Sequence, residues 1–154
     1  MRHVRLLIVL GLAGLLLGAC SGGQGALQPP EIYYGQDTCA RCGMLISHPR
    51  FAAALLTVEG ESRKYDDIGC LLDDYIHSGL KAAGIYVHDY NTGAWLDAKA
   101  AFFVQSDIHT PMASGLVAFG ARAAAEAFAP GAAVMSFEQV VAMQAERPAH
   151  SHEH

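Results

Sequence analysis

The chain has 154 residues, of which 52% are hydrophobic and 16% charged, with a formal net charge of −5. This length favours one domain. Two of the 10 Lys and Arg residues and none of the Asp and Glu residues lie before position 20. Residues 20–154 therefore contain 8 Lys and Arg against 15 Asp and Glu, a formal charge of −7. No basic run could track a phosphate backbone, which argues against a nucleic-acid partner.

The N-terminus has the pattern of a bacterial lipoprotein signal. Two arginines precede a twelve-residue apolar run, 6–17, which is too short to span a bilayer comfortably but suits a secretory signal. The run ends in Gly18-Ala19-Cys20, which resembles a lipobox. We therefore predict a signal peptide over 1–19 and lipidation of Cys20, the alternative being an ordinary signal with an incidental cysteine. Ser21 is not the aspartate that usually retains a lipoprotein in the inner membrane, so we expect a periplasm-facing anchor in the outer membrane.

The mature chain divides into three regions. Residues 20–31 are rich in glycine, glutamine and proline, which is typical of a flexible linker. Residues 32–146 carry the periodic patterns of a folded domain. Residues 147–154 form a polar tail with histidines at 150, 152 and 154. Such a tail can scavenge divalent metals or can simply be solvated.

The first half of the domain reads as two strands and a helix. An apolar stretch at 51–58 predicts a buried strand, and 62–65 predicts its return after a turn. Asp66-Asp67 offers a helix N-cap, and Gly79 marks the helix end. The helix is indicated by apolar residues at helical spacing: Ile68, Leu71, Leu72, Tyr75 and Ile76.

The second half repeats this order. The patterns predict strands at 85–90, 94–96, 101–106 and 115–119, with a loop over 107–114 between the last two. A helix at 121–128 follows, and a capping box at Ser136 and Gln139 opens a last helix. Because strand–strand–helix occurs at 51–79 and again at 101–128, we predict an α+β fold with two ββα units in one small domain.

Cys39 and Cys42 form the most informative local motif. Their C-x-x-C spacing permits one metal ion, a structural disulfide or a redox pair. The motif precedes the first clear strand and is followed by Gly43, which favours a metal loop over the helix start of a redox motif. With Cys20 used by lipid, three cysteines remain, so a disulfide framework would leave one thiol without a partner.

Cys70 occupies the first turn of the predicted helix, where backbone amides favour a thiolate. Asp66 and Asp67 oppose that effect, and the alternative is a small buried residue. We interpret these two carboxylates, together with Asp73 and Asp74, as an N-cap and a solvated helix face.

Three further side chains are candidate ligands. Met44 follows the two thiols directly, and Met112 lies behind Pro111 in a loop, where it either fills the core or serves a site. His109 lies in the same loop and is either a ligand or solvated. Thiolate and thioether sulfurs are soft ligands that favour Cu(I). The remaining domain histidines, at 48, 77 and 88, are expected at the surface or in the core.

Together these motifs resemble the NosL-type copper lipoproteins, accessory proteins of nitrous oxide reductase. The resemblance rests on the lipobox and on four further elements in matching order: Cys39-x-x-Cys42-Gly43-Met44, Tyr65-Asp66-Asp67-Ile68-Gly69-Cys70, Phe103-Val104 with Thr110-Pro111-Met112, and Ala118-Phe119. It covers most of the mature chain.

The resemblance implies a membrane-anchored, periplasmic carrier of one Cu(I) with no catalysis of its own. It implies delivery to an ABC-type copper and sulfur maturation machinery and onward to the copper–sulfide site of nitrous oxide reductase in denitrification. It also implies a fold related to organomercurial lyase, and mixed Cys, Met and His ligation chosen from Cys39, Cys42, Met44, Cys70, His109 and Met112. The alternatives are a thiol–disulfide oxidoreductase using Cys39 and Cys42, or a lipoprotein with a structural zinc knuckle.

Overall fold

A computed structural model describes residues 27–147; the predicted signal peptide, Cys20 and the histidine tail lie outside this range. Within it, no helix has the length and apolar character needed to cross a membrane. The described chain also contains 3-10 turns at Pro49–Phe51 and Ala98–Ala100. Its strands are β1 (Ala53–Thr57), β2 (Ser62–Tyr65), β3 (Ala82–His88), β4 (Trp95–Asp97), β5 (Phe102–Gln105), β6 (Leu116–Phe119) and β7 (Val134–Met135), and its α-helices are α1 (Ile68–His77), α2 (Arg122–Phe128) and α3 (Phe137–Ala145).

The strands form two antiparallel sheets. The larger has the order β2-β1-β3-β4 and the smaller the order β6-β5-β7. The units β1-β2-α1 and β5-β6-α2 are the two ββα units predicted from the sequence, so the α+β prediction is confirmed. Strand β3 begins three residues before the predicted start, and β7 was not predicted.

Strand β1 is central in its sheet because its side chains are small and apolar. Its first three residues are fully buried, and Leu55 pairs with Arg63 of β2 and Ile85 of β3. Helix α1 covers this sheet with Ile68, Leu71 and Leu72, each of which contributes about 1.5–3 kcal/mol by burial. Helix α3 packs beside α1.

The two sheets meet at the end of β3. Tyr90 N–H donates to the carbonyl of Ala118 in β6 at 2.8 Å, and Asp89 forms a parallel bridge with Ala118. The Asp89 carboxylate accepts from the backbone of Gly120 at 2.7 Å and from two amides of the following turn. This junction fixes the smaller sheet, and with it the loop between β5 and β6, relative to the larger sheet and α1.

Candidate metal centre

A short hairpin before the first strand carries Cys39 and Cys42. Thr38 and Leu45 form its bridge, and Cys39 N–H donates to the Met44 carbonyl at 2.8 Å. Gly43 has φ +75°, and its N–H donates to the Cys39 carbonyl at 2.9 Å, so the hairpin closes in a tight turn. The hairpin is held to β2 because Ala40 N–H donates to the carbonyl of Lys64 at 2.8 Å.

The junction between β2 and α1 supplies the other half of the centre. Cys70 lies in the first turn of α1 and is buried, and Asp66 lies four residues earlier. One ligand atom from each of four residues lies within 4.8 Å of the others: the sulfurs of Cys39, Cys42 and Cys70 and a carboxylate oxygen of Asp66. The fold therefore brings Cys70 next to both cysteines of the C-x-x-C motif. All three are free thiols.

Hydrogen bonds make the three thiols unequal. The Cys70 thiol and the backbone amides of Cys42, Asp66 and Arg41 donate to the Cys39 sulfur, and they lower the pKa of Cys39 to about 7 against the opposing effect of burial. Burial raises the pKa of Cys42 to about 11, although the Met44 amide offsets part of the effect. The bond to Cys39 and then burial raise the pKa of Cys70. Cys39 is therefore the thiol that ionises first, in the neutral pH range, while Cys42 and Cys70 stay protonated there.

Asp66 is the site residue that the sequence interpretation missed. It is 1% exposed, and its Oδ1 accepts from the Cys42 thiol at 3.6 Å. Its Oδ2 is buried and has no hydrogen-bond partner among the described residues. A buried, unpartnered carboxylate oxygen is costly unless a proton or cation reaches it. The sequence could have indicated Asp66 through its spacing, since it lies four residues before Cys70 at the start of the helix.

The predicted acidic N-cap is present at Asp67, but the predicted solvated face was wrong at Asp74, and Asp66 is also buried. Asp66 and Asp67 are buried, and Asp74 is buried where it accepts from Tyr65 Oη at 2.7 Å and Arg63 Nε at 2.8 Å. Only Asp73 is partly exposed, and it pairs with Arg41 of the hairpin. The carboxylates therefore hold the β2–α1 junction together instead of facing solvent.

Asp67 is the predicted N-cap and has a second function. Its Oδ1 accepts from Gly69 N–H at 2.6 Å, and its Oδ2 accepts from Met112 N–H at 3.0 Å. The bond to Met112 brings the β5–β6 loop against the start of α1. The Met112 side chain is half-buried against the core cluster that contains Cys39 and Cys70.

Met44 and His109, the other two candidate ligands, do not belong to the four-residue cluster. Met44 is 50% exposed, and its backbone contacts both cysteines of the hairpin, so this residue lies at the surface and next to the cysteines along the chain. His109 is exposed, does not belong to the four-residue cluster, and lines a separate surface depression. The loop thus directs Met112 toward α1 and His109 to another surface.

The other three domain histidines lie where the sequence placed them. His48 and His77 are exposed, and His88 is buried. His88 stacks on Trp95 with ring centroids 3.7 Å apart, and its Nδ1 lies 3.0 Å from the Ala52 carbonyl. Burial lowers the pKa of His88, so this imidazole is a neutral core group.

Comparison with known proteins identifies the family. Residues 32–144 match the family model described as NosL. The chain belongs to the NosL family. Its fold is similar to the crystal structure of the copper chaperone NosL from Shewanella denitrificans, with a TM-score of 0.64 and 18% sequence identity over 73% of this chain and 96% of that one. At this identity the likeness shows a shared fold. No curated protein matches the chain.

Proposed function

We propose that this NosL-family protein is a Cu(I) metallochaperone that holds its cargo at the cluster of Cys39, Cys42 and Cys70. The observation that carries the proposal is the convergence of three thiol sulfurs and the Asp66 carboxylate within 4.8 Å. Thiolates are soft ligands that select Cu(I) over hard cations, and the Cys39 thiolate is available near neutral pH. Membership of the NosL family supports a carrier role without catalysis.

The exposed thioether of Met44 suits the exchange of cargo. A carrier must bind copper tightly and still release it to a partner. A soft ligand at the surface beside buried thiols lets the ion acquire a partner's sulfur before it leaves the cysteines. Met112 is anchored through Asp67 and packs against the core cluster that contains Cys39 and Cys70, so it is a second candidate thioether ligand.

We further propose that the copper is destined for nitrous oxide reductase. Membership of the NosL family supports this pathway, in which the carrier passes Cu(I) to an ABC-type maturation machinery and onward to the copper–sulfide site of the reductase. The lipobox pattern at Cys20 supports a lipid anchor that faces the periplasm. Ser21, which replaces the aspartate of lipoproteins retained in the inner membrane, supports an anchor in the outer membrane. Gene deletion should leave the reductase without its copper–sulfide site, and complementation with a Cys39→Ser gene should not restore it.

Competition against a Cu(I)-selective chelator under anaerobic conditions tests the binding function directly. We expect one Cu(I) per chain, bound tightly enough to be withdrawn from the chelator. Binding no tighter than micromolar, or a stoichiometry above one that the cysteines do not influence, would contradict the proposal.

The unequal thiols predict a specific titration. In reduced, copper-free protein, absorbance at 240 nm should reveal one thiolate forming with a midpoint near pH 7, while the other two domain thiols stay protonated to about pH 9. Since the Cys39 pKa is lowered, protons compete with Cu(I) for this sulfur progressively as the pH falls below 7.

Two variants at one position separate the causes of that midpoint. Cys70→Ser keeps a hydroxyl that donates to Cys39 and should leave the midpoint near 7, whereas Cys70→Ala removes the donor and should raise it. Both variants lose the same copper ligand. An equal midpoint in the two would show that the Cys70 hydrogen bond does not set the Cys39 pKa.

Zinc is the competing cargo that the geometry favours most. Three cysteines and a carboxylate match the four-coordinate preference of Zn²⁺. If the site is a structural zinc knuckle, zinc should remain after chelator treatment, and its removal should unfold the protein.

The redox alternative has weaker support, because Cys39 has the lowered pKa that a redox cysteine needs but is only 3% exposed. Insulin reduction well above background would favour it.

A further inference from the structure

Asp66 is the one residue of the four-residue cluster whose ligand atom is not a sulfur. It lies between the end of β2 and the cap of α1, and it is 1% exposed. Its Oδ1 accepts from the Cys42 thiol at 3.6 Å, and its buried Oδ2 has no hydrogen-bond partner among the described residues. A buried carboxylate oxygen without a partner is costly, so this oxygen is suited to bind a ligand.

The structural tasks at this junction are carried out by other carboxylates. The next residue, Asp67, caps α1 and holds the β5–β6 loop. The nearby cations already have carboxylate partners: Arg41 with Asp73, Arg63 with Asp74, and Lys64 with Asp37. Within residues 27–147, no Lys, Arg or His side chain forms an ion pair with Asp66. Its position beside three sulfurs is therefore best explained by a role at the cluster itself.

The mixed ligand set of the cluster suits two kinds of ion differently. Cu(I) is soft and needs only sulfur ligands, whereas carboxylate oxygens suit harder cations. Zn²⁺ accepts sulfur and oxygen alike and prefers four ligands in a tetrahedron. A buried carboxylate beside thiolates also adds a negative charge, which a divalent cation balances better than a monovalent one. Asp66 should therefore contribute far more to the binding of Zn²⁺ than to the binding of Cu(I).

The distances in the cluster are close to those of a tetrahedral site. With Zn–S bonds of ~2.3 Å and a Zn–O bond of ~2.1 Å, the ligand atoms of a tetrahedron lie about 3.6–3.8 Å apart. The four atoms here lie within 4.8 Å of one another, so each separation needs to shorten by about 1 Å or less. The hairpin supplies two of the ligands and the β2–α1 junction the other two, so a small approach of the hairpin to the junction is sufficient.

We propose that Asp66 sets the metal selectivity of the cluster, as a ligand of divalent ions of the Zn²⁺ class that stays outside the coordination shell of Cu(I). This role rests on the proposed function, since it requires that the three thiols bind metal. The same sulfurs then serve two sites, a four-ligand site with Asp66 for Zn²⁺ and an all-sulfur site for Cu(I). Zn²⁺ competes with Cu(I) for the protein, and Asp66 determines how strongly.

Asp66→Asn tests this role, because it keeps the shape of the side chain and removes its charge. In reduced protein, competition with a chromophoric chelator should show one Zn²⁺ per wild-type chain and binding about tenfold or more weaker in Asp66→Asn. Loss of even an outer partner of a metal ligand typically costs ~10–100-fold. Cu(I) affinity should stay unchanged. Asp73→Asn is the matched control and should alter neither affinity, because it removes a carboxylate of α1 that lies outside the cluster.

Co²⁺ provides a second measurement that detects a folding defect. Its sulfur charge-transfer bands should persist in Asp66→Asn while its visible ligand-field bands shift. Equal Zn²⁺ affinity in the wild-type and Asp66→Asn proteins, or a parallel loss of Zn²⁺ and Cu(I) affinity, would overturn the proposal. If the wild-type protein binds Zn²⁺ through Asp66 but fails to withdraw Cu(I) from its chelator, the Cu(I) function is contradicted while the role of Asp66 as a Zn²⁺ ligand is supported.

Discussion

Cys39→Ser is expected to weaken Cu(I) binding about a hundredfold, the largest loss for any single side chain of the protein. Cys39 contributes the thiolate of lowest pKa and receives the hydrogen bond of Cys70, so its sulfur is the centre of the cluster. Metal–thiolate sites that bind with ~10–16 kcal/mol over four ligands give about 3 kcal/mol per ligand. Anaerobic chelator competition measures the difference.

His109→Ala is the control for that measurement. The structure places His109 in a separate depression, so its loss should leave Cu(I) affinity unchanged. A hundredfold loss in His109→Ala, or no loss in Cys39→Ser, would place the copper site elsewhere on the protein.

Asp67→Ala is expected to lower the free energy of unfolding by about 2–4 kcal/mol. The side chain caps α1 through Gly69, an interaction that contributes about 1 kcal/mol, and its removal also deprives Met112 N–H of its partner, at a further ~1–3 kcal/mol. Because the same carboxylate anchors the β5–β6 loop, Cu(I) affinity should fall too if Met112 supports the site.

Asp97→Ala provides the matched comparison in chemical denaturation. Asp97 also caps a helical turn, through Lys99 N–H at 2.9 Å, but it is exposed and its carboxylate accepts no second backbone hydrogen bond from the residues that the structure describes. Its loss should lower the unfolding free energy by about 1 kcal/mol or less. Similar losses in the two variants would mean that the Met112 contact contributes little to stability.

Much of the fold could be predicted because each element has its own local pattern. The bounds of β2 agree with the prediction, α1 begins at the residue after its predicted cap, and the Ser136–Gln139 capping box is present. Strand β7 was missed because its two residues, Val134 and Met135, are too few to show alternation.

The site was only partly predictable, because burial at a junction depends on segments that are distant in sequence. Asp66 resembles a solvent-facing acid until the 38–45 hairpin covers it and brings Cys42 within 3.6 Å. His109 and Met112 are three residues apart in sequence, but a turn over 110–113, closed by the bond from Ala113 N–H to the Thr110 carbonyl, gives them different surroundings. The odd number of cysteines argued only against a disulfide framework, and it is the fold that brings Cys70 to Cys39 and Cys42.

X-ray absorption on the Cu(I)-loaded protein tests the central claim most directly, because it counts sulfur against nitrogen and oxygen neighbours of the ion. The cluster of Cys39, Cys42 and Cys70 predicts a first shell dominated by sulfur, without the outer-shell scattering of imidazole, and a loss of one sulfur in Cys39→Ser. A shell that contains imidazole nitrogen and is unchanged in Cys39→Ser would contradict it.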